Sequence, residues 1–261
     1  MFSKKLSSLQ YWCFSGISII GVIVLWGVGT SSGMISALFL PSPIQVIHAL
    51  KDLFVGGQLF VDIGASLFRI VLGFLFSAGI ALLLGVALGI SRRAGAFIEP
   101  LVSFIRFIPP SAFIPLAILW FGVGEYEKVF IIFIGIAPYL TLLVADAVLH
   151  TRKELIEAAL TLGASKYDLI TKVVIPFALP SMWDAMRLMI GAAWTFVIIA
   201  EIVGASTGLG RLMIESQRFL RTDSIFACIV ILGVLGLCTD YFFKATHRIF
   251  FPWTHKISLN E

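Results

Sequence analysis

The chain has 261 residues, of which 59% are hydrophobic and 13% charged, with a mean hydropathy of +1.01. These values exclude an ordinary soluble domain and leave room for about six helical membrane crossings of ~20 residues with short loops, but for no additional large soluble domain. The net charge of +4 follows from the loop positions of Lys and Arg and gives no reason to invoke nucleic acid, and Cys13, Cys228 and Cys238 have neither metal-ligand spacing nor the makings of a disulfide framework.

The apolar runs predict helices throughout, because lipid offers no partner for open backbone groups. The first span is Tyr11 to Gly29, kept as an anchor because no small-residue cleavage site is evident and more spans follow. Leu40-Pro41-Ser42-Pro43 then leads into a short amphipathic piece, Ile44 to Phe54, suited to the membrane interface. The second span, Phe60 to Ile90, carries Gly73, Ser77, Ala81, Gly85 and Gly89 four residues apart. That ridge of small side chains lets another helix backbone come close. The third span, Phe97 to Phe121, contains Ile108-Pro109-Pro110 and then Pro115, whose missing N–H groups and ring clashes kink or break it. Such a break either borders a cavity or merely serves packing. The fourth span is Lys128 to Leu149, the fifth Leu179 to Val203 and the sixth Ser224 to Thr246.

Between the fourth and fifth spans lies a polar segment, residues 152–176, RKELIEAALTLGASKYDLITKVVIP. Glu157-Ala158-Ala159 is followed at Gly163 by a helix breaker, then by a second amphipathic piece ending at Val173, Ile175 and Pro176. The pattern predicts helix, turn, helix on a membrane surface. Its side follows from the basic residues. With both termini inside, eleven Lys and Arg fall in cytoplasmic segments, among them Lys4, Lys5, Lys166, Lys172 and Lys256, and five fall outside. The remaining three, Arg69, Arg106 and Arg187, lie within spans. The positive-inside rule therefore puts the termini and residues 152–176 in the cytoplasm.

Charges within spans should face the protein interior, a watery passage or one another. Asp184 and Arg187 are three apart on one helix and suited to pair with each other. Arg106, near the proline break, either meets an anionic solute or pairs with Glu201. No catalytic constellation is present: the sequence has no phosphate-binding GxxxxGK[ST] loop, and His48, His150, His247 and His255 are scattered near membrane borders. The loop between the fifth and sixth spans, with Gly208, Gly210, Arg211, Arg218 and Arg221, reads as an interfacial helix with a basic side, receiving a partner, attracting an anion or simply forming surface.

Glu157-Ala158-Ala159, Gly163 and Val173-x-Ile175-Pro176 resemble the EAA signature of ABC importer permeases, departing from its last four positions only by aliphatic exchanges. Leu40-Pro41-Ser42-Pro43, residues 105–125 (IRFIPPSAFIPLAILWFGVGE), Leu162-Gly163-Ala164-Ser165 and residues 200–212 (AEIVGASTGLGRL) are similar to the nitrate, taurine and aliphatic sulfonate branch of those permeases. The resemblance covers about residues 40–245, while the tail after Phe251 matches nothing.

The resemblance implies an all-α membrane protein of about six transmembrane helices with a type I importer permease fold, a single transmembrane domain over 1–261. It implies a second identical permease chain, two cytoplasmic ATP-binding subunits and an extracytoplasmic solute-binding protein, in a bacterial inner membrane. ATP and Mg would sit on the partners, with no cofactor or metal in this chain, which would not itself be an enzyme. Glu157, Ala158, Ala159, Leu162, Gly163 and Ala164 would form the ATPase-coupling site. Arg69, Arg106, Pro109, Pro110, Trp194 and Glu201 would belong to the pathway, and Arg211, Arg218 and Arg221 would meet the binding protein. Nitrate or nitrite, bicarbonate, a sulfonate and a cationic vitamin precursor all fit this plan, with Arg106 and the basic loop favouring a small anion. The alternative is a self-contained secondary transporter or channel, which accounts for buried charge and broken helices but not for the 152–176 segment.

Overall fold

The computed structural model describes residues 8–33 and 36–253, and these are helical with short connections. Lys4, Lys5, Lys256 and the tail beyond residue 253 lie outside the described residues. The chain divides into two compact units, residues 1–60 with 212–231, and residues 61–211 with 232–261.

In the first unit, α1 (Ser8–Ser31) is followed by α2 (Pro43–Val55). Ser42 starts α2 with a capping box: its side chain accepts from the Gln45 backbone N–H, and the Gln45 side chain accepts from the Ser42 N–H. Pro43 occupies the first turn, where its missing N–H costs nothing. The apolar face of α2, Val46 and Ala49, packs on Ala227 with Trp26 and Phe226 alongside, and the Trp26 indole N–H donates to the Pro41 carbonyl at 2.9 Å.

The second unit is built on α3 (Gln58–Ile90), α6 (Glu125–Leu149) and α8 (Lys166–Ile202). Gly73, Gly85 and Gly89 press against α6 so closely that an added Cβ would lie 2.6 Å from an Ile132 side-chain atom, 2.6 Å from the Thr141 carbonyl and 2.5 Å from the Val148 side chain. Each contact joins a residue to the one 59 positions later (73 to 132, 85 to 144, 89 to 148), so α3 and α6 run parallel in fixed register. The α6 face is packed by α8 in the opposite sense: Gly135 faces Phe196, whereas His150 shares a cavity wall with Ser181. The core of the unit follows α6, with Ile131, Ile132, Ile136, Leu140 and Val144 fully buried.

Between α3 and α6 the chain returns through α4 (Arg92–Arg106), a 3-10 turn (Pro110–Phe113) and α5 (Ile114–Phe121). The two halves meet at a bend of 89°. Pro109 is extended, Pro110 opens the 3-10 turn and Pro115 lies in the first turn of α5, so the prolines stop one helix and start the next. The third span is thus a broken pair of short helices.

Among the described residues, α3, α6, α8 and α10 (Thr222–Phe250) are long and apolar enough to cross a membrane, and the bent pair makes a fifth span if counted as one. One sequence expectation changes: the second piece of the helix-turn-helix is not a separate surface helix. It begins at Lys166 and continues through a π-helical stretch, Leu169–Val174, into the fifth span without a break. The physical reason is Pro176, which has no N–H for the Lys172 carbonyl, and widening the preceding turn lets the helix continue past it.

The register of α3 on α6 sets a measurable sensitivity. Gly85→Leu should lower stability by about 1–3 kcal/mol through overpacking against Val144. Gly79→Leu, where nothing lies within 4 Å, should be close to neutral when both are compared by thermal denaturation in detergent.

Candidate functional site

The parallel and antiparallel pairings give the second unit two ends. The starts of α3 and α6 and the end of α8 meet at one. The ends of α3 and α6 and residues 152–176 lie at the other, about 30 Å from Arg69 at ~1.5 Å per residue.

The first end holds a buried ion cluster. The Arg69 guanidinium makes a bidentate contact with Glu125, Nε and Nη2 each 2.6 Å from a carboxylate oxygen. Its Nη1 donates at 2.7 Å both to Glu201 and to the Thr207 carbonyl. Arg69 and Glu201 are each 1% exposed, so the pair is stable only because its remaining donors and acceptors are matched. That matching comes from the loop after α8 and from α9 (Leu209–Arg218). Three consecutive backbone N–H groups, at Gly208, Leu209 and Gly210, donate to Asp62, Ser66 and Glu201 at 2.7, 3.0 and 2.8 Å. Negative groups are thereby placed on the positive end of α9, and its otherwise orphaned donors are satisfied. Ser66 closes the circuit by donating to Glu201 at 2.7 Å, and Arg211 stands 3.6 Å from Asp62. Gly208 has φ +122, and a Cβ there would lie 2.4 Å from the Glu201 carboxyl carbon, so glycine serves both the backbone turn and the carboxylate.

The opposite end presents the helical hairpin. α7 (Lys153–Thr161) ends in a Schellman motif: the Gly163 N–H donates to the Leu160 carbonyl and the Ala164 N–H to the Ala159 carbonyl, both at 3.0 Å. This geometry requires a left-handed residue, and Gly163 supplies it with φ +80. Ser165 then caps α8, accepting from the Asp168 N–H at 3.2 Å. The inner face of the hairpin, Ile156 with Leu169, Ile170 and Val174, borders a cavity of ≈ 300 Å³ beneath Ile90 and Leu149. Its outer face leaves Leu162 87% and Tyr167 74% exposed, with Glu157 and Ala158 also open.

Arg106 lies between the two ends. The Tyr139 hydroxyl donates to the Arg106 carbonyl at 2.9 Å, placing Arg106 midway along α6. Its guanidinium sits 4.8 Å from the Phe107 ring centre, and its Nε is buried with no hydrogen-bond partner. It faces a cavity of ≈ 510 Å³ with Glu99, Ser103 and Asp146 in the wall. An arginine facing hydrocarbon would cost at least about 2.5–3.5 kcal/mol, and its place on a polar-lined cavity avoids that cost.

Several pairings differ from those the sequence suggested. Glu201 takes Arg69 as its cation, not Arg106. Arg187 reaches across to Asp240 on α10 at 2.6 Å, where Lys244 also binds at 2.8 Å, while Asp184 lies 3.7 Å from His247. Asp240 thus gathers two cations, Arg187 from the neighbouring helix and Lys244 four residues along its own. Trp194 is buried, its indole donating to Thr239 Oγ1 at 3.2 Å. Pro109 and Pro110 sit at the break, and Arg218 and Arg221 are exposed at the end of α9 and just after it. Sequence reasoning missed Asp62, Ser66, Glu125 and Thr207. Asp62 and Glu125 border apolar runs, a position equally natural for interfacial carboxylates, so only their partners identify them: Arg69 for Glu125, and the Gly208 N–H with Arg211 for Asp62.

Comparison with known proteins agrees across most of the chain. The family described as binding-protein-dependent transport system inner membrane component matches residues 77–249. A Bacillus subtilis (strain 168) protein described as an aliphatic sulfonates transport permease, SsuC, is 33% identical over 96% of this chain and 91% of its own length. The taurine transport system permease protein TauC of Escherichia coli (strain K12) is 30% identical, covering 89% and 86%. The bicarbonate transport system permease protein CmpB of Synechococcus elongatus is also 30% identical, covering 86% and 84%. Among solved structures, an inward-facing MetNI methionine ABC transporter shares the fold with a TM-score of 0.68 at 23% identity, covering 75% of this chain and 97% of that one.

Removing one member of the ion cluster should be costly. Glu201→Ala leaves Arg69 and the Gly210 N–H without their shared acceptor and should destabilise the chain by about 3–5 kcal/mol. Chain melting in detergent measures this, and a shift no larger than that of a surface Glu→Ala change would refute the assignment.

Proposed function

Since the chain belongs to the inner membrane components of binding-protein-dependent transport systems and is a permease subunit, not an enzyme, we propose that it carries a small anion inward under power from separate ATP-binding subunits. The observation that carries this reading is the hairpin of residues 153–168: rigidly capped, open to water on its outer face, and continuous through α8 with the ion-clustered far end. Leu162 and Tyr167 are apolar groups with nothing over them at a polar surface, which suits burial in the groove of a partner. Glu157, Ala158, Ala159 and Ala164 add a charge and small side chains that allow a close seat. ATP binding would draw two such hairpins together. The unbroken helix would pass that movement into the membrane as a rigid body, alternating access between its two sides.

Two identical copies of this permease, two ATP-binding subunits and an extracytoplasmic binding protein complete the assembly. The excess of Lys and Arg around the hairpin supports a cytoplasmic hairpin and cytoplasmic termini. The names of the relatives support a sulfonate, taurine or bicarbonate as solute, nitrate or nitrite belonging to the same chemical range, and Arg106 is the cation that such solutes would meet. Arg218 and Arg221, both exposed, are the candidate contacts for the binding protein.

Gly163→Val places a β-branched residue at φ +80 in open space and should unseat the coupling turn without touching the buried core. The expected result is loss of the ATP-binding subunit during co-purification and loss of solute-stimulated ATP hydrolysis, with chain melting little changed. Retention of both activities would overturn the coupling assignment. Arg218→Glu with Arg221→Glu should slow uptake and flatten its salt dependence, as removal of a steering charge does. Unchanged uptake and an unchanged salt profile would dismiss the docking role.

A further inference from the structure

The charges around the mid-depth cavity are unequal, and this bears on which solutes can pass. Arg106 is the cation in its wall, and among the described residues no carboxylate lies within ion-pairing distance of it. Ser103, one turn earlier on α4, brings a hydroxyl to the same wall. Glu99 precedes Arg106 by seven residues on α4, and Asp146 follows Tyr139 by seven on α6. The Tyr139 hydroxyl on the Arg106 carbonyl puts those two residues at one level, and the two helices run in opposite directions. Both carboxylates therefore lie about 10 Å from the Arg106 level, toward the coupling hairpin. The cavity has a cationic upper part and an anionic lower part.

Resting on the importer reading above, we infer that this cavity is a passing site for a solute with one anionic head, of the sulfonate or carboxylate class, and that Glu99 and Asp146 make it reject a second negative charge. The head docks on the Arg106 guanidinium, whose buried Nε lacks an acceptor, and on the Ser103 hydroxyl. The rest of the solute then lies along Leu142 and Leu143 toward the carboxylates, where an apolar or cationic tail is accepted and an anionic tail is repelled. The single cation also makes the site weak, as a passing site must be if the solute is to leave.

The test is saturation-transfer NMR with ethanesulfonate and ethane-1,2-disulfonate on the permease–ATPase complex in detergent, free of binding protein. Ethanesulfonate should give a signal that Arg106→Gln reduces at least about tenfold, the scale of a lost charge-assisted hydrogen-bond donor. Arg106→Lys should restore part of it. The disulfonate should bind poorly to the unaltered complex and markedly better after Glu99→Gln with Asp146→Asn. Undiminished ethanesulfonate binding by an Arg106→Gln complex that keeps its ATPase and its melting temperature overturns the site. Equal binding of both probes to the unaltered complex overturns the selectivity. If no ATP-binding subunit is retained, the importer reading fails instead, and the same measurement on the permease chain alone still decides the cavity.

Discussion

The contact on which the second unit depends is the Arg69 guanidinium held between Glu125 and Glu201. A cation 1% exposed among apolar helices is tolerable only when its donors are occupied, and here they draw together the start of α6, the end of α8 and the loop that opens α9. Asp62, Ser66 and Glu201 then capture the first backbone donors of α9. Electrostatics therefore determine where three helix ends meet, at a place where hydrophobic packing alone would leave them free to slide. The same residues explain the glycines of the loop, since a side chain at Gly208 or Gly210 would occupy the space of Glu201.

From that clamp, rigidity extends through the unit by close packing. Glycines of α3 press on α6 in constant register, and α8 closes on α6 from the other direction. The hairpin is built onto the far end of this stack through a helix whose one irregularity, the π-helical stretch before Pro176, widens a turn without breaking the rod. A push on the hairpin is thus delivered to a stiff body, which suits a chain whose relatives are transport permeases. The proline break between α4 and α5 contributes the opposite property, an interrupted wall below which Arg106 stands over a polar cavity.

Membrane class, helical architecture and the position of the Gly163 turn are legible in the sequence, because each follows from local rules. Apolar run length, a glycine after an amphipathic stretch and the small residues of α3 act within one helix or one turn. The π-helical continuation past Pro176 was not legible, since proline announces a disruption but not whether the helix stops or widens. The break at Pro109-Pro110 was legible but its angle, 89°, was not, because a missing N–H marks where helix bonding stops and not which way the chain turns next. Tertiary structure alone decided the partners of charge: Arg69 with Glu125 and Glu201, Arg187 with Asp240, and Arg106 left facing a cavity. Ion pairing depends on the distance between atoms of different helices, and spacing along one chain carries no record of it.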